Sequence, residues 1–188
     1  MSKVKPKRQP FPALETERLR LRRFTSGDVE DMHAAFGNVR AMRYWNSLPF
    51  KRPSETARLV RIMAKADAPQ WWQPWAIARR RDDRCIGMIN YHHREAGNRR
   101  LELGWIIAPR HQGRGYAREA TAAVIRYCFD QLDTHRIEAM IVPENTASIR
   151  LAEALGFRLE GGPIRDRWRA GEKYRSVLMY GLLAGEET

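Results

Sequence analysis

The chain has 188 residues, of which 43% are apolar and 30% charged, with a formal net charge of +12 at pH 7. This composition predicts one globular domain and excludes an intrinsically disordered chain. No apolar run approaches the roughly 18 residues of a membrane span, and the basic start lacks the apolar segment of a secretory signal. The two cysteines, Cys85 and Cys128, lie far apart and favour buried free thiols in a reducing, cytoplasmic compartment.

The positive charge is concentrated in a few stretches. Basic residues crowd the first eight positions, and arginine runs fill two predicted turns, at 79–81 and 99–100. Such charge is typical of a solvated surface, and it also suits a polyanionic cofactor, an RNA or a ribosomal surface. Composition alone does not separate these interpretations.

The first third of the chain is predicted to contain a tail, a strand and two helices. Residues 1–12 are expected to form a flexible basic tail and residues 13–188 a single domain. A strand is expected over 15–24, a helix after Thr25-Ser26-Gly27-Asp28, and a second helix from Pro53. Between the helices lie large apolar side chains that either pack in the core or line a substrate pocket: Tyr44, Trp45, Leu48 and Phe50.

The remaining elements predict a mixed sheet. Strands over 75–78, 85–92 and 101–107 form an antiparallel meander, and small or apolar residues at helical spacing predict a long helix over 117–129. A strand over 135–142 then runs parallel to the strand 101–107. Two last strands, over 157–160 and 175–182, are expected to flank a basic loop. The fold class is α+β (mixed α/β): a mostly antiparallel mixed sheet with helices on both faces.

His92 and His93 are adjacent at the end of the strand 85–92. Alternation along a strand would place their rings on opposite faces of the sheet. The pair is therefore not expected to form a metal site by itself, and no cluster of cysteine and histidine accompanies it. No metal is predicted in this protein.

The turn Arg110-His111-Gln112-Gly113-Arg114-Gly115-Tyr116-Ala117 precedes the long helix. Glycine at 113 and 115 permits positive φ and the close approach of a ligand. Successive N–H groups in such a turn, followed by a helix N-terminus, form a nest for anions. The expected ligand is a phosphate or a pyrophosphate.

The side chains of this turn narrow the class of phosphate site. The chain has no Walker sequence, and Arg118 stands where a Rossmann fingerprint has its third glycine. Arg110 and Arg114 are expected to add mobile positive charge. His111 is interpreted either as a phosphate contact or as a simply exposed side chain.

A second motif follows the strand 135–142. Asn145 is a fitting helix N-cap, Ser148 lies in the first turn of that helix, and Gly156 is a fitting stop. In their order and spacing, this motif and the glycine turn resemble the two signatures of the GCN5-related N-acetyltransferase (GNAT) superfamily. The opening ETERLRLR and the segments GYA and GFRLEG resemble its RimJ/RimL-type subgroup, the ribosomal-protein N-terminal acetyltransferases. The resemblance runs from about residue 13 to 183.

The resemblance implies the GNAT fold, with a splayed pair of parallel strands that holds acetyl-CoA. Its pyrophosphate would lie on the glycine turn, its pantetheine arm would pair with the backbone in the strand 101–107, and Ser148 would hydrogen-bond or protonate the sulfur. The implied cofactor-binding residues are Ile106, Ile107, Arg110, His111, Gln112, Gly113, Arg114, Gly115, Tyr116, Ala117, Asn145 and Ser148.

Transfer of an acetyl group to an amine requires a base, for which Glu102 is the candidate. It alternates with apolar residues of its strand, so burial is expected to raise its pKa. A purely structural glutamate is the alternative interpretation, and Asp166 in the basic loop is a second, weaker candidate base. Ser176 stands where the subgroup often has Asp, which leaves the acceptor substrate open.

The predicted function is transfer of an acetyl group from acetyl-CoA to a primary amine, with a protein N-terminal α-amine of the ribosomal type as the first choice. The alternatives are a small amine, such as an aminoglycoside, a polyamine or an amino acid, and, in another class, an RNA- or ribosome-binding module on a non-catalytic GNAT fold. The sequence leaves open whether the chain forms a homodimer.

Overall fold

The computed structural model describes residues 11–65 and 71–187, which form a mixed α/β fold. Its helices are α1 Val29–Phe36, α2 Pro53–Lys65, α3 Tyr116–Leu132 and α4 Thr146–Glu153. Its strands are β1 Leu14–Glu15, β2 Leu19–Arg22, β3 Gln73–Arg79, β4 Cys85–Glu95, β5 Arg100–Ile107, β6 Arg136–Ile141, β7 Arg158–Ala170 and β8 Lys173–Leu183. The strands form one sheet in the order β1-β2-β3-β4-β5-β6-β8-β7.

Apolar residues cover both faces of this sheet, as the alternating pattern predicts. One core packs α3 and α4 against inward residues such as Leu101 and Ile137. The other packs α1 and α2 against residues of the opposite face, such as Ala76 and Ile106. The expected mixed sheet with helices on both faces is confirmed.

The parallel pair β5 and β6 separates soon after it begins. Its ladder joins Arg100 to Arg136, Leu101 to Ile137 and Glu102 to Glu138, and no later rung is present in the described residues. On its other side, β5 stays paired with β4 as far as Ile107. The β6-facing edge of β5 is thus left open beyond Glu102, so the predicted splay is confirmed.

The predicted basic loop near the C-terminus is instead a long hairpin. β7 runs to Ala170 and β8 starts at Lys173, so only Gly171 and Glu172 form the turn. The two strands stay paired along the hairpin because the register shifts near Gly161 and Trp168, where residues of β7 are left without a partner in β8. The strand lacks an alternating pattern because nearly all of its side chains are exposed on both faces.

The N-terminal boundary differs slightly from the predicted one. Phe11 already packs edge-on against Trp75, with ring centroids 6.3 Å apart, and the Trp75 indole donates to the Pro12 carbonyl. Packing thus begins before residue 13, while residues 1–10 of the predicted tail lie outside the described residues. Among the helices described, none combines the length and apolar character needed to cross a membrane.

Candidate active site

The opening between β5 and β6 leads into a cleft of about 760 Å³. The end of β5, the glycine turn, the start of α4 and an aromatic wall line this cleft. Both sequence motifs reach it, since Gly113, Gly115, Asn145 and Ser148 are among its lining residues together with Glu102. Ten of the twelve residues predicted to bind a cofactor share this cavity with the predicted base, whereas Arg110 and Arg114 are not among its lining residues.

The glycine turn has the backbone that an anion nest requires. Gly113 and Gly115 have φ of 71° and 78°, in the left-handed region that glycine adopts without strain. The N–H groups of His111 and Gln112 are used within the turn, on Ala108 and Pro109. Within the described residues, those from 113 to 115 have no acceptor, so successive donors at the N-terminus of α3 are free for a ligand.

Arg18, which the sequence did not single out, holds this turn in place. Its Nη1 donates to the Arg114 carbonyl at 3.0 Å, and its Nε pairs with Glu119 Oε2 at 2.6 Å. Its guanidinium also lies over the Tyr116 ring, 4.8 Å from the centroid. Arg18 is far from the turn in sequence, so no local pattern could have revealed the contact.

The side chain of Arg110 is not the mobile charge that the sequence predicts. Its Nη2 pairs with Asp31 Oδ1 at 2.7 Å, and its Nε donates to His111 Nε2 at 3.0 Å. His111 is buried, so it is not simply exposed. Burial, followed by the charge of Arg110, lowers the pKa of His111. Gln112 ties the turn to β5 by donating to the Ile107 carbonyl at 2.9 Å.

Ser148 stands at the start of α4, where Asn145 caps the helix as predicted. The side-chain Oδ1 of Asn145 accepts a hydrogen bond from the Ser148 N–H at 3.3 Å. The Trp105 indole donates to Ser148 Oγ at 3.3 Å, a contact that the sequence did not reveal. Because the Ser148 hydroxyl accepts from Trp105, its own proton remains available to a group in the cleft.

Glu102 is buried, with 5% of its surface exposed, and both of its carboxylate oxygens meet histidines. His92 Nε2 lies 3.2 Å from Oε1, and His93 Nδ1 lies 3.4 Å from Oε2. The prediction that the two histidines face opposite ways is wrong. His93 adopts φ of 51° at an irregularity of the β4–β5 ladder, which turns its ring to the same carboxylate.

The surroundings of Glu102 also reverse its expected titration. Burial alone raises the pKa of this carboxyl, as predicted. The hydrogen bonds and charges of His92 and then His93 act in the opposite direction and together outweigh burial, so the pKa of Glu102 falls below its usual value. Glu102 is therefore a carboxylate at neutral pH.

The cluster of His92, His93 and Glu102 has the donor types of a transition-metal site, but not its spacing. The ligand atoms of these three residues lie within 4.8 Å of one another. Two donors on one zinc ion lie at most about 4.2 Å apart, because each bond is about 2.1 Å long. Hydrogen bonding between the histidines and the carboxylate accounts for the contacts as they stand.

Much of the cleft lining is aromatic or basic. Seven tyrosine and tryptophan residues line it: Tyr44, Trp45, Trp71, Trp72, Trp105, Tyr116 and Trp168. Three arginines line it as well: Arg40, Arg118 and Arg150. Glu102 is the single acidic side chain among the described lining residues. Asp166, the second candidate base, lies outside the lining and is exposed.

The fold and the cleft define an acetyltransferase, and comparison with known proteins gives its family. Residues 18–158 match the family model described as "Acetyltransferase (GNAT) domain", so the chain belongs to the GNAT acetyltransferases. It is accordingly an N-acetyltransferase enzyme of the GNAT type, a class that uses acetyl-CoA.

The relatives of known name do not single out one acceptor. The uncharacterized N-acetyltransferase YoaA of Bacillus subtilis is 34% identical over 164 residues, 87% of this chain and 93% of that protein. A spermidine N(1)-acetyltransferase of Vibrio cholerae is 30% identical over 164 residues, 85% of this chain and 89% of that protein. The crystal structure of spermidine N-acetyltransferase from V. cholerae in complex with CoA and spermine has a TM-score of 0.77 at 26% identity, covering 91% of this chain and 98% of that one. The narrower RimJ/RimL-type prediction is not confirmed by these relatives.

Proposed function

We propose that this enzyme transfers the acetyl group of acetyl-CoA to the α-amine of a protein N-terminus. The observation that carries the proposal is the charge of the cleft. Glu102 is the single carboxylate among its described lining residues, and Arg40, Arg118 and Arg150 add positive charge. A polyamine carries several positive charges, which the arginines of the cleft would repel, whereas an α-amine carries one.

The acidity of the acceptor amine points in the same direction. The lowered pKa of Glu102 makes it a weak base. A protein α-amine has a pKa of about 7.7–8.0, against about 10.4 for an alkyl amine such as that of lysine. Deprotonating the α-amine is therefore easier by about 3 kcal/mol, at about 1.4 kcal/mol per pKa unit. A weak base in the cleft favours the more acidic amine.

The chain offers separate groups to hold the cofactor. The free N–H groups of residues 113–115 and the N-terminus of α3 suit its pyrophosphate. The open edge of β5 presents the backbone of Ile106 and Ile107 to the pantetheine arm. Acetyl-CoA, when bound, supplies an activated thioester. Tyr116, Ala117 and the backbone of Arg114 complete the proposed cofactor surface.

Each step of the transfer has a residue of this chain assigned to it. Glu102 removes the proton of the ammonium group, directly or through a water molecule. A backbone N–H near Ile107 stabilises the negative charge that develops on the carbonyl oxygen. Ser148, which accepts a hydrogen bond from Trp105, directs its hydroxyl proton toward the departing sulfur.

The experiment compares three acceptors at equal concentration with acetyl-CoA. These are a peptide with a free N-terminus and an internal lysine, the same peptide with a blocked N-terminus, and spermidine. Thiol release and mass spectrometry should show acetylation at the free N-terminus, with kcat/KM at least about tenfold above that of spermidine, since the amines differ by ~2.5 pKa units. Equal acetylation of the blocked peptide would contradict the proposal.

Polyamine acetylation is the second candidate. It is favoured by the spermidine N(1)-acetyltransferase of V. cholerae, which aligns over most of this chain. A kcat/KM for spermidine above that of the free peptide would establish it in place of the first proposal. Ribosomal proteins are the first protein acceptors to screen, because the net charge of +12 suits contact with the RNA of a ribosomal surface. A cytoplasmic location is supported by the buried free thiols of Cys85 and Cys128.

A further inference from the structure

Glu102 lies where a proton that it has accepted has few routes to solvent. Glu102 is buried, with 5% of its surface exposed, in the middle of the sheet. Strand β4 lies on one side of it and the first residues of β6 lie on the other. In each cycle the base accepts one proton from the amine, and that proton must leave before the next cycle. Glu102 reaches solvent through the cleft that it lines, and the substrates fill that cleft during turnover. A second route to solvent would therefore speed release of the proton.

His93 joins this carboxylate to the outside of the protein. Its Nδ1 lies 3.4 Å from Glu102 Oε2, within hydrogen-bond reach, while 64% of its side chain is exposed. Its other ring nitrogen, Nε2, makes no hydrogen bond to any described residue. One ring therefore has one nitrogen on the buried carboxylate and the other free for water.

The backbone of His93 is unusual in a way that creates this contact. Its φ of 51° lies in the left-handed region, which costs a residue with a side chain about 1 kcal/mol or more. With an ordinary strand conformation, the ring would point to the other face of the sheet from His92. Strain that turns a side chain onto a buried catalytic group is typical of functional sites.

The neighbouring groups do not offer an equivalent route. His92 Nε2 contacts the other oxygen of Glu102, Oε1, at 3.2 Å. The Nδ1 of His92 is buried without a hydrogen-bond partner, so this ring cannot pass a proton on to solvent. Glu95, the acidic group nearest to His93 along β4, is held by Asn98 at 2.8 Å and by Arg100. His92 fixes the carboxylate, and His93 alone among these residues connects it to solvent.

We propose that His93 is the proton shuttle that returns Glu102 to its carboxylate form. This inference rests on the proposed acetyl transfer, with Glu102 as base. The O–H bond of the protonated Glu102 breaks as its proton passes to His93 Nδ1. The resulting imidazolium loses the proton on Nε2 to water or to a buffer base, and exchange with solvent restores the starting tautomer. No electrons are transferred, and the net result is one proton delivered to solvent.

The test uses His93→Gln, whose amide can still donate a hydrogen bond to Glu102 but cannot carry a proton. We expect kcat to fall about tenfold in dilute buffer, with KM for acetyl-CoA unchanged, and to recover progressively as imidazole is added. His93→Asn, which tolerates the left-handed backbone, should behave alike and guards against misfolding. His135→Gln, at an exposed histidine outside the cleft, is the matched control and should show neither loss nor rescue.

A wild-type kcat for His93→Gln and His93→Asn at every buffer concentration would overturn the shuttle. So would a deficit that imidazole leaves unchanged, since that is the signature of a structural role. The assay takes whichever of the peptide or spermidine the wild-type enzyme acetylates faster, because the shuttle serves any amine. Preference for spermidine refutes the proposed acceptor but not the shuttle, whereas no turnover with either refutes both.

Discussion

The two sides of the cleft are built in different ways. On the proposed cofactor side, the glycine turn and the start of α3 present backbone N–H groups from one continuous segment. On the acceptor side, Glu102 and its two histidines are side chains from different strands, brought together by the β4–β5 register. Binding through the backbone depends on φ and ψ, which glycine sets locally, whereas a side-chain cluster depends on long-range packing. The cofactor side should therefore be broken by backbone changes and the acceptor side by charge changes.

The largest effect is expected from Gly113→Asp. An aspartate there must adopt a φ of 71° and brings a negative charge to the proposed pyrophosphate nest. Since a Cβ at this position meets no atom within 4 Å, the fold should survive. We expect the Kd for acetyl-CoA, measured by calorimetry, to rise at least about a hundredfold, or about 2.7 kcal/mol.

Gly185→Asp is the matched control for this change. Gly185 also has a positive φ, 89°, and open space at its Cβ position, but it lies outside the cleft lining. It should bear the same backbone cost while leaving the affinity for acetyl-CoA unchanged. An unaltered Kd in Gly113→Asp would refute the proposed nest.

On the acceptor side, Glu102→Gln should lower kcat about a hundredfold, because it removes the base while keeping the shape of the side chain. The KM for acetyl-CoA should change little, since the cofactor side is untouched. Glu138→Gln is the control: Glu138 is also buried, is the ladder partner of Glu102 and pairs with Arg100 and Arg136. The Glu138→Gln variant should have a lower melting temperature but a kcat close to that of the wild type. Comparable kcat losses in both variants would contradict the base role.

His92→Leu should change the pH dependence rather than the maximum rate. Burial raises the pKa of Glu102, and the contact to His92 is the largest effect opposing it. Without His92 the pKa should rise, so that protons inactivate the base at higher pH. In the wild type, the acid limb of kcat should lie below the ordinary glutamate pKa of about 4.3, and in the variant it should move to higher pH. An acid limb that stays in place would exclude His92 as the cause of the lowered pKa.

The smallest effect is expected from Arg18→Ala, which acts on the cofactor side through the turn. It removes the hydrogen bond to the Arg114 carbonyl and the pair with Glu119. Because the pair is partly exposed, stability should fall by only about 1 kcal/mol or less, while the Kd for acetyl-CoA rises about threefold to tenfold as the turn loosens. Arg20→Ala, two residues further along in β2 and paired with Glu15, is the control and should leave the Kd unchanged. Equal Kd values for both variants would show that Arg18 does not position the turn.

Sequence by itself determined most of the scaffold. The meander, the long helix, the Asn145 cap and the parallel pair were predicted from periodicity, capping residues and connection rules. These features are local, because a helix, a cap or a glycine turn is specified by residues a few positions apart. The glycine turn was found for the same reason. The glycine turn of the proposed cofactor side could therefore be predicted from the sequence alone.

Only the tertiary structure decided the other half. The β4–β5 register places His92 opposite Glu102, and the left-handed backbone of His93 adds the second histidine. Together the two histidines reverse the direction of the pKa shift of Glu102. The pairing of Arg110 with Asp31 and the support of the turn by Arg18 likewise join residues far apart in sequence. Strand register and charge pairing arise from packing over the whole sheet, so spacing along the chain could not specify them.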